Sequence, residues 1–533
     1  MEKRVIIAIV LSVAVMYGYS FLAPQPPASQ KSAPQQAQTQ QSAAPAPVTA
    51  PQQASQPAQG AALQTSAAPA RDIVVDTDLY RAVFSTRGGE LKSLVLKKYH
   101  DKAGPGGKEV ALVAAEAPET YTLRSEAQGF ALDPAAVCSV NTDSLKVGKG
   151  EKRVLEFTCA YQGITLKKSY TVSGDSYGID LNQQLINTGA TKQEGVLRLV
   201  LANPVPVDTK ESRFEQHGPV ALAGKDVVAV KMKDLEKGAK TFGGDVHWTG
   251  YADKYFLNVV AAGAGAIGGD TIRLNRGVVE NSVASPAISL NPGQSFSLPY
   301  RLYFGPKDLD ILKAQGNQLE DVIDLGWFSA VAKPLLYCLK FLYRYVHNYG
   351  IAIIIITVVI KILFYPLTYK SYKSMKEMQK LQPKMAELKE KYKNDRDALN
   401  KAIMELYQTH KVNPLGGCLP MLVQMPIFIA LYRALMSSIE LRHAPFMLWI
   451  QDLAAKDPYY VTPIVMGATM FIQQRMTPSA GMDPTQAKMM MMLPVVFTVM
   501  FINMPAGLVV YWLVNNILTI AQQAYINRLL KES

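Results

Sequence analysis

The chain has 533 residues, 49% of them hydrophobic and 18% charged, with a formal net charge of +12. The length accommodates two domains, and so apolar a composition excludes an ordinary soluble protein. The charge alone would admit a nucleic-acid binder, but much of the clustered basic charge lies in short segments between apolar runs, so direct nucleic-acid binding is not expected.

The first apolar run covers residues 5–22, behind Lys3 and Arg4. Gly18-Tyr19-Ser20 has the small-x-small form of a cleavage site, so a secretory signal is the alternative reading. The run is longer than a usual signal core and no Cys follows it. An uncleaved transmembrane anchor over residues 1–23, entered from the cytoplasm, is preferred. Residues 24–70 are almost wholly Ala, Pro, Gln and Ser. They offer too little apolar area to offset chain entropy and are expected to form a disordered linker.

From residue 71 to 305 the texture changes to β-branched alternation punctuated by Gly and Asn turns. Strands are expected near residues 73–75, 80–85, 91–96, 154–159, 164–172, 195–202 and 296–303, giving an all-β, sandwich-like domain. Cys138 and Cys159 lie symmetrically about Gly148-Lys149-Gly150. A simple hairpin would set them opposite each other, as a disulfide contributing roughly 3 kcal/mol or as two buried thiols. No metal-ligand spacing occurs among the four cysteines, and no metal is expected.

Residues 306–349 mix Trp327, Phe328, Leu336 and Phe341 with Lys333, Lys340 and Arg344. That mixture suits helices lying in the membrane interface, broken in two at Pro334. Five further apolar runs follow in residues 350–533, at 351–368, 415–432, 459–472, 489–503 and 508–520. A spanning helix needs about 17–25 such residues, so six spans are expected in all, the two shorter runs being completed by interfacial residues. Lysines crowd residues 370–393, which places that segment and both termini in the cytoplasm and residues 24–349 across the membrane. The segment 371–411 carries Met375, Met378, Leu381, Met385 and Leu388, then Leu399, Ile403 and Leu406, at steps of three and four. It reads as a cytoplasmic helical hairpin whose first arm is kinked by Pro383.

An ionisable group within a span costs about 2.5–3.5 kcal/mol on insertion scales and is a functional hypothesis by default. Lys361 is that group, eight residues before Tyr369 at the expected cytoplasmic end. The alternative is a lysine reaching for headgroups. Gln424, Gln473, Asn515, Asn516, Thr519 and Gln522 map by topology to the same halves of their spans, and Asn515, Thr519 and Gln522 share one helical face. A wet cavity open to the cytoplasm accounts for a cation among amides; interhelical amide bonding alone would not require one. No acidic residue falls in the five core spans. Enzyme signatures are missing: Gly104 to Lys108 reads GPGGK rather than a Walker motif, and neither HExxH nor GxSxG occurs. Neither catalytic residues nor cofactors are expected.

The stretch Asn413-Pro414-Leu415-Gly416-Gly417-Cys418-Leu419-Pro420, continuing to Gln424-Met425-Pro426-Ile427-Phe428, resembles the signature of the YidC membrane protein insertase family. Tyr365-Pro366-Leu367-Thr368, Asp457-Pro458-Tyr459-Tyr460 and Pro505-Ala506-Gly507-Leu508-Val509-Val510-Tyr511 follow in the same order. The resemblance implies a five-helix insertase core with a hydrophilic groove open to cytoplasm and lipid, plus a periplasmic β-supersandwich. It implies insertion of nascent membrane proteins into the bacterial inner membrane, alone or with the Sec translocon. The loop lysines and the hairpin are the expected contacts, weak ones, for the ribosome or targeting receptor. The groove would add Thr357, Phe428, Met466 and Trp512, and the hairpin contacts would be Met378, Lys380, Pro383 and Lys384. Lys361 stands where the family usually has Arg, and Trp512 where it has a tyrosine. The charge is kept while the planar two-point fork is lost. A secondary transporter is disfavoured because no internal repeat is found. An anchored carbohydrate-binding or sugar-modifying protein would depend wholly on the β domain.

Overall fold

The computed structural model describes residues 69–205, 217–263, 269–393, 395–410, 412, 419–476 and 484–532. The expected anchor, the linker through residue 68, Cys418 and the 413–418 part of the signature lie outside the described residues.

Among the described residues, three sheets make the first half. One has five strands in the spatial order Glu109–Ala114, Glu90–His100, Tyr80–Ser85, Asp72–Thr77 and Ser144–Val147, the last pair parallel. The second has nine, running from Asp226–Ala229 through the adjacent strands Phe256–Ala262, Ser295–Pro306 and Gly178–Asn187 to Lys152–Tyr161 and Ser139–Val140. The third is built around Gln193–Pro204, which pairs with Val278–Ala284, Ile288–Leu290 and Arg124–Gln128. Alternation explains the layering: in Ile164–Ser173 every second residue is buried from Leu166 to Val172, and Leu166, Tyr170 and Val172 are fully enclosed. Most of the expected strands fall inside longer observed ones.

Cys138 and Cys159 form a disulfide with their Cα atoms 4.3 Å apart. The geometry is not a simple hairpin. Ser144–Val147 leaves to pair with Asp72–Thr77 in the five-stranded sheet, while Ser139 and Val140 stay opposite Thr158 and Phe157. The bond therefore extends the pairing of Ser139–Val140 with Lys152–Tyr161.

The second half is helical: α1 Leu309–Gln315, α2 Ser329–Val346, α3 Tyr349–Leu363, α4 Tyr365–Lys380, α5 Gln382–Lys391, α6 Arg396–Thr409, α7 Leu419–Ser437, α8 Val461–Met476, α9 Pro484–Phe501 and α10 Ala506–Glu532. Two proline expectations change, and a third proline divides an expected span. Pro334 does not break α2, which runs through it. A proline in its second turn removes one hydrogen bond, and the buried Ala332, Leu336 and Leu339 hold the helix on both sides. Pro383 ends nothing by kinking; it stands in the first turn of α5, where its missing N–H is not needed, and the chain breaks at Leu381. Pro366 has the same place in α4, so the expected single span over 351–368 is two helices bent by 61°. Among the described residues no single helix is long and apolar enough to cross a membrane, and only this bent pair reaches the requirement jointly.

The two halves share buried apolar structure. Ala332 and Leu336 of α2, with Ala430 and Ala434 of α7, belong to the same core cluster as the strands. A second cluster joins α3, α7, α8 and α10 through Ile353, Ile356, Leu431, Met466 and Val509. Close helix approach rests on small residues: a Cβ at Gly467 of α8 would collide with Thr498 of α9.

Candidate functional site

The bend at Phe364 decides where Lys361 sits. Because α3 stops at Leu363, Lys361 lies in its last turn rather than deep inside a longer helix. A cation there faces the negative end of the helix dipole. The sequence placed it eight residues from a helix end because the apolar run continues past Pro366; the proline, not the hydropathy, sets the end.

Lys361 Nζ donates to Thr519 Oγ1 at 2.7 Å, and the threonine hydroxyl donates onward to the Asn515 carbonyl at 2.6 Å. Gln522 Nε2 reaches back to the Lys361 carbonyl at 3.2 Å, and Gln424 Nε2 of α7 donates to Asn515 Oδ1 at 2.6 Å. The structure thus gathers Lys361, Gln424, Asn515, Thr519 and Gln522 from α3, α7 and α10, all half-buried. An ammonium carries three donors. Among the described residues Thr519 is its one side-chain acceptor, and no carboxylate lies within ion-pair distance.

The remaining expected groove residues divide. Phe428 packs edge-on to Trp512 at 4.5 Å, with Phe497 and Phe501 on the same indole at 6.0 and 5.3 Å. The indole Nε1 is buried without a partner among the described residues. Asn516 is buried and turns the other way, its Nδ2 3.5 Å from Thr469 Oγ1 of α8. Gln523 likewise donates to the Met476 carbonyl at 2.8 Å. Two polar faces of α10 therefore serve different neighbours: one bonds α8, as amides between membrane helices commonly do, and the other meets Lys361. Thr357 is buried and donates to the Ile353 carbonyl of its own helix, and Met466 is fully enclosed, so both pack rather than line. Gln473 is half-buried and partnered.

In the hairpin, Met385 is buried and accepts from the Tyr407 hydroxyl at 3.4 Å, tying α5 to α6. Lys384 Nζ lies 3.0 Å from His410 Nε2. Lys380, Pro383 and Lys384 are exposed and Met378 is half-buried.

A second charged centre escaped the sequence. Lys340 of α2 is 3.2 Å from Asp308 and 2.7 Å from Asp310 at the start of α1, and 2.9 Å from Glu440 just beyond α7. Burial alone would lower the Lys340 pKa, but Glu440, Asp310 and Asp308 outweigh it and raise it above 10.5. No motif announces this cluster, since its members come from three elements distant in sequence.

A family model described as "60Kd inner membrane protein" matches residues 341–533, and one described as "YidC periplasmic domain" matches residues 72–338. The relatives include a "Membrane protein insertase YidC" of Geotalea daltonii, 56% identical over 99% of this chain and 99% of that one. Another of the same description, from Geobacter metallireducens, is 58% identical over 99% of this chain and 98% of that one. A third, from Syntrophus aciditrophicus, is 45% identical over 99% and 100% of the two.

Proposed function

Because the chain belongs to the YidC family of membrane protein insertases, we propose that it inserts newly made proteins into the bacterial inner membrane through a groove centred on Lys361. The family is one of insertases rather than enzymes, with a β-rich periplasmic domain before its helical half. In this reading six spans leave both termini in the cytoplasm, and the β domain is a periplasmic supersandwich. The groove opens to the cytoplasm and to lipid.

The observation that carries the reading is a half-buried cation with one side-chain acceptor and no carboxylate beside it among the described residues. Its missing counter-charge is the acidic extracytoplasmic tail of a substrate. The tail enters toward Lys361 while the adjoining apolar segment leaves sideways past α7 and α9 into lipid. A hydrated groove shortens the dry distance that each charge crosses. Partitioning of the apolar segment drives the step, and the membrane potential adds about 2.3 kcal/mol per charge per 100 mV. The chain needs neither nucleotide nor cofactor for this. The Sec translocon is a partner for larger substrates, while the exposed lysines of the hairpin meet the ribosome or targeting receptor weakly.

The test is reconstitution of the purified chain in liposomes with a stalled substrate, and a photocrosslinker placed near Lys361, at position 424 or 515, so that the cation is kept. The expected product is a crosslink to the substrate's tail in an insertion-competent preparation. Insertion that proceeds with crosslinks to lipid alone would refute the groove.

A further inference from the structure

A second cationic feature lies away from Lys361, where the β domain meets the loop between α7 and α8. A cavity of about 590 Å³ opens there between the residues 98–107 segment of one strand and its following turn, and residues 442–451 of the loop. Its lining includes Lys98, His100, Lys102, Arg442 and His443, with no carboxylate among the lining residues. The nearby acids are engaged: Asp101 accepts from the Lys108 backbone at 2.7 Å, and Asp452 accepts from Ala454 at 2.8 Å while facing His443 at 3.8 Å.

Arg442 is held rather than free to swing. Its guanidinium lies 5.6 Å from the Tyr255 ring centre and 5.3 Å from that of Phe256. Aromatic faces fix the plane of the fork without neutralising its charge. In the residues 442–451 part of this loop, His443 and Leu448 hold positive φ of 58° and 52°. Such conformations persist where surrounding structure enforces them, and they gather at binding sites. The loop closes on itself through Phe446 N to Ile450 O at 2.9 Å and Leu453 N to Ala444 O at 3.1 Å. Its tip presents Met447 and Leu448, which are 50% and 73% exposed. Two bare apolar side chains beside a cationic cavity are the pattern of a membrane-surface contact.

We propose that this cavity binds the phosphate of an anionic phospholipid headgroup in the periplasmic leaflet, with Met447 and Leu448 entering the acyl region. The leaflet assignment rests on the topology given above. The cavity anchors the β domain to the bilayer at a fixed point, through lipid, beside the core's periplasmic loop. Lys98 and Lys102 supply charge, and Arg442 supplies the oriented fork.

The test uses the full chain in detergent, titrated with phosphatidylglycerol, phosphatidylcholine or inorganic phosphate, with bound ligand counted by native mass spectrometry. The parent is expected to retain one phosphatidylglycerol that phosphatidylcholine does not replace. Removing both exposed charges, Lys98→Gln with Lys102→Gln, should weaken it about tenfold or more, at roughly 1 kcal/mol per surface lysine. The control pair Lys225→Gln and Lys237→Gln should leave it unchanged. Met447→Ser with Leu448→Ser should weaken the lipid only, since inorganic phosphate has no chain. Equal retention by the Lys98 and Lys102 variant overturns the site, as does equal loss in the control. Displacement of the lipid by an equal concentration of inorganic phosphate overturns the lipid as its ligand. No insertion step enters this measurement, so it can fail while the insertase reading stands, and the reverse.

Discussion

Lys340 and Lys361 are both lysines drawn into the helical half, and they are treated in opposite ways. Lys340 meets Asp308, Asp310 and Glu440 within 3.2 Å, at a point where α1, α2 and the segment just past α7 converge. Lys361 meets one threonine hydroxyl and amide-bearing neighbours. A half-buried cation surrounded by carboxylates is satisfied by its own chain and acts as a joint. In the proposed reading, a half-buried cation given only neutral partners keeps its field for the substrate that arrives later. The difference between them is in counter-ions, not in burial, and under the proposed function it separates a structural charge from a working one.

The comparison breaks most visibly in stability. Lys340→Met leaves three carboxylates crowded without their cation, and removing one partner of a buried ion pair costs on the order of 3–5 kcal/mol. Thermal unfolding in detergent should show a large fall for this variant and little change for Lys361→Met. Equal losses would erase the distinction. Next in size, Cys138→Ser with Cys159→Ser opens a loop of sequence separation 21 and should cost the β domain about 3 kcal/mol, by the loop-length estimate, while leaving insertion at the parental rate. Insertion that falls with it would mean that the β domain, not the helical half alone, sets the activity. Lys361→Met should lower insertion of an acidic-tailed substrate about tenfold, the equivalent of about 1.4 kcal/mol, in a protease-protection assay. Lys361→Arg should be nearly silent, because the field survives.

The smallest effect concerns Asp457, before α8. Burial works to raise its pKa, but donors from Thr462, Tyr459 and Trp449 prevail and lower it below 3.8. A depressed acid contributes stability above its unfolded pKa and loses it as pH falls through the folded value. Asp457→Asn should therefore be less stable at neutral pH and lose less between neutrality and the acid limb below 3.8, read as melting temperature against pH.

What the sequence disclosed follows from what is local. Period-two alternation located strands such as Ile164–Ser173, because one face of each is buried. The polar face of α10 followed from the helical spacing of Asn515, Thr519 and Gln522. Its second face did not: Asn516 and Gln523 meet α8 only once the two helices are packed together. Proline effects are not legible locally, because the same residue is harmful in a helix interior and welcome in a first turn, and the register that decides is set by packing. The Lys340 cluster stayed hidden because Asp308, Lys340 and Glu440 meet only through tertiary structure. The arrangement at Lys361 was legible as a cation among amides, but its true depth was not, since hydropathy does not register the bend at Phe364.

The most direct test of Lys361 as a charge waiting for its substrate is a charge exchange. Parent and Lys361→Glu proteins, reconstituted in liposomes of equal potential, are each given the same apolar segment with an acidic or a basic tail. The parent should favour the acidic tail and the variant the basic one, so that the preference inverts. If Lys361→Glu inserts the acidic tail as well as the parent does, Lys361 is not the substrate's counter-charge.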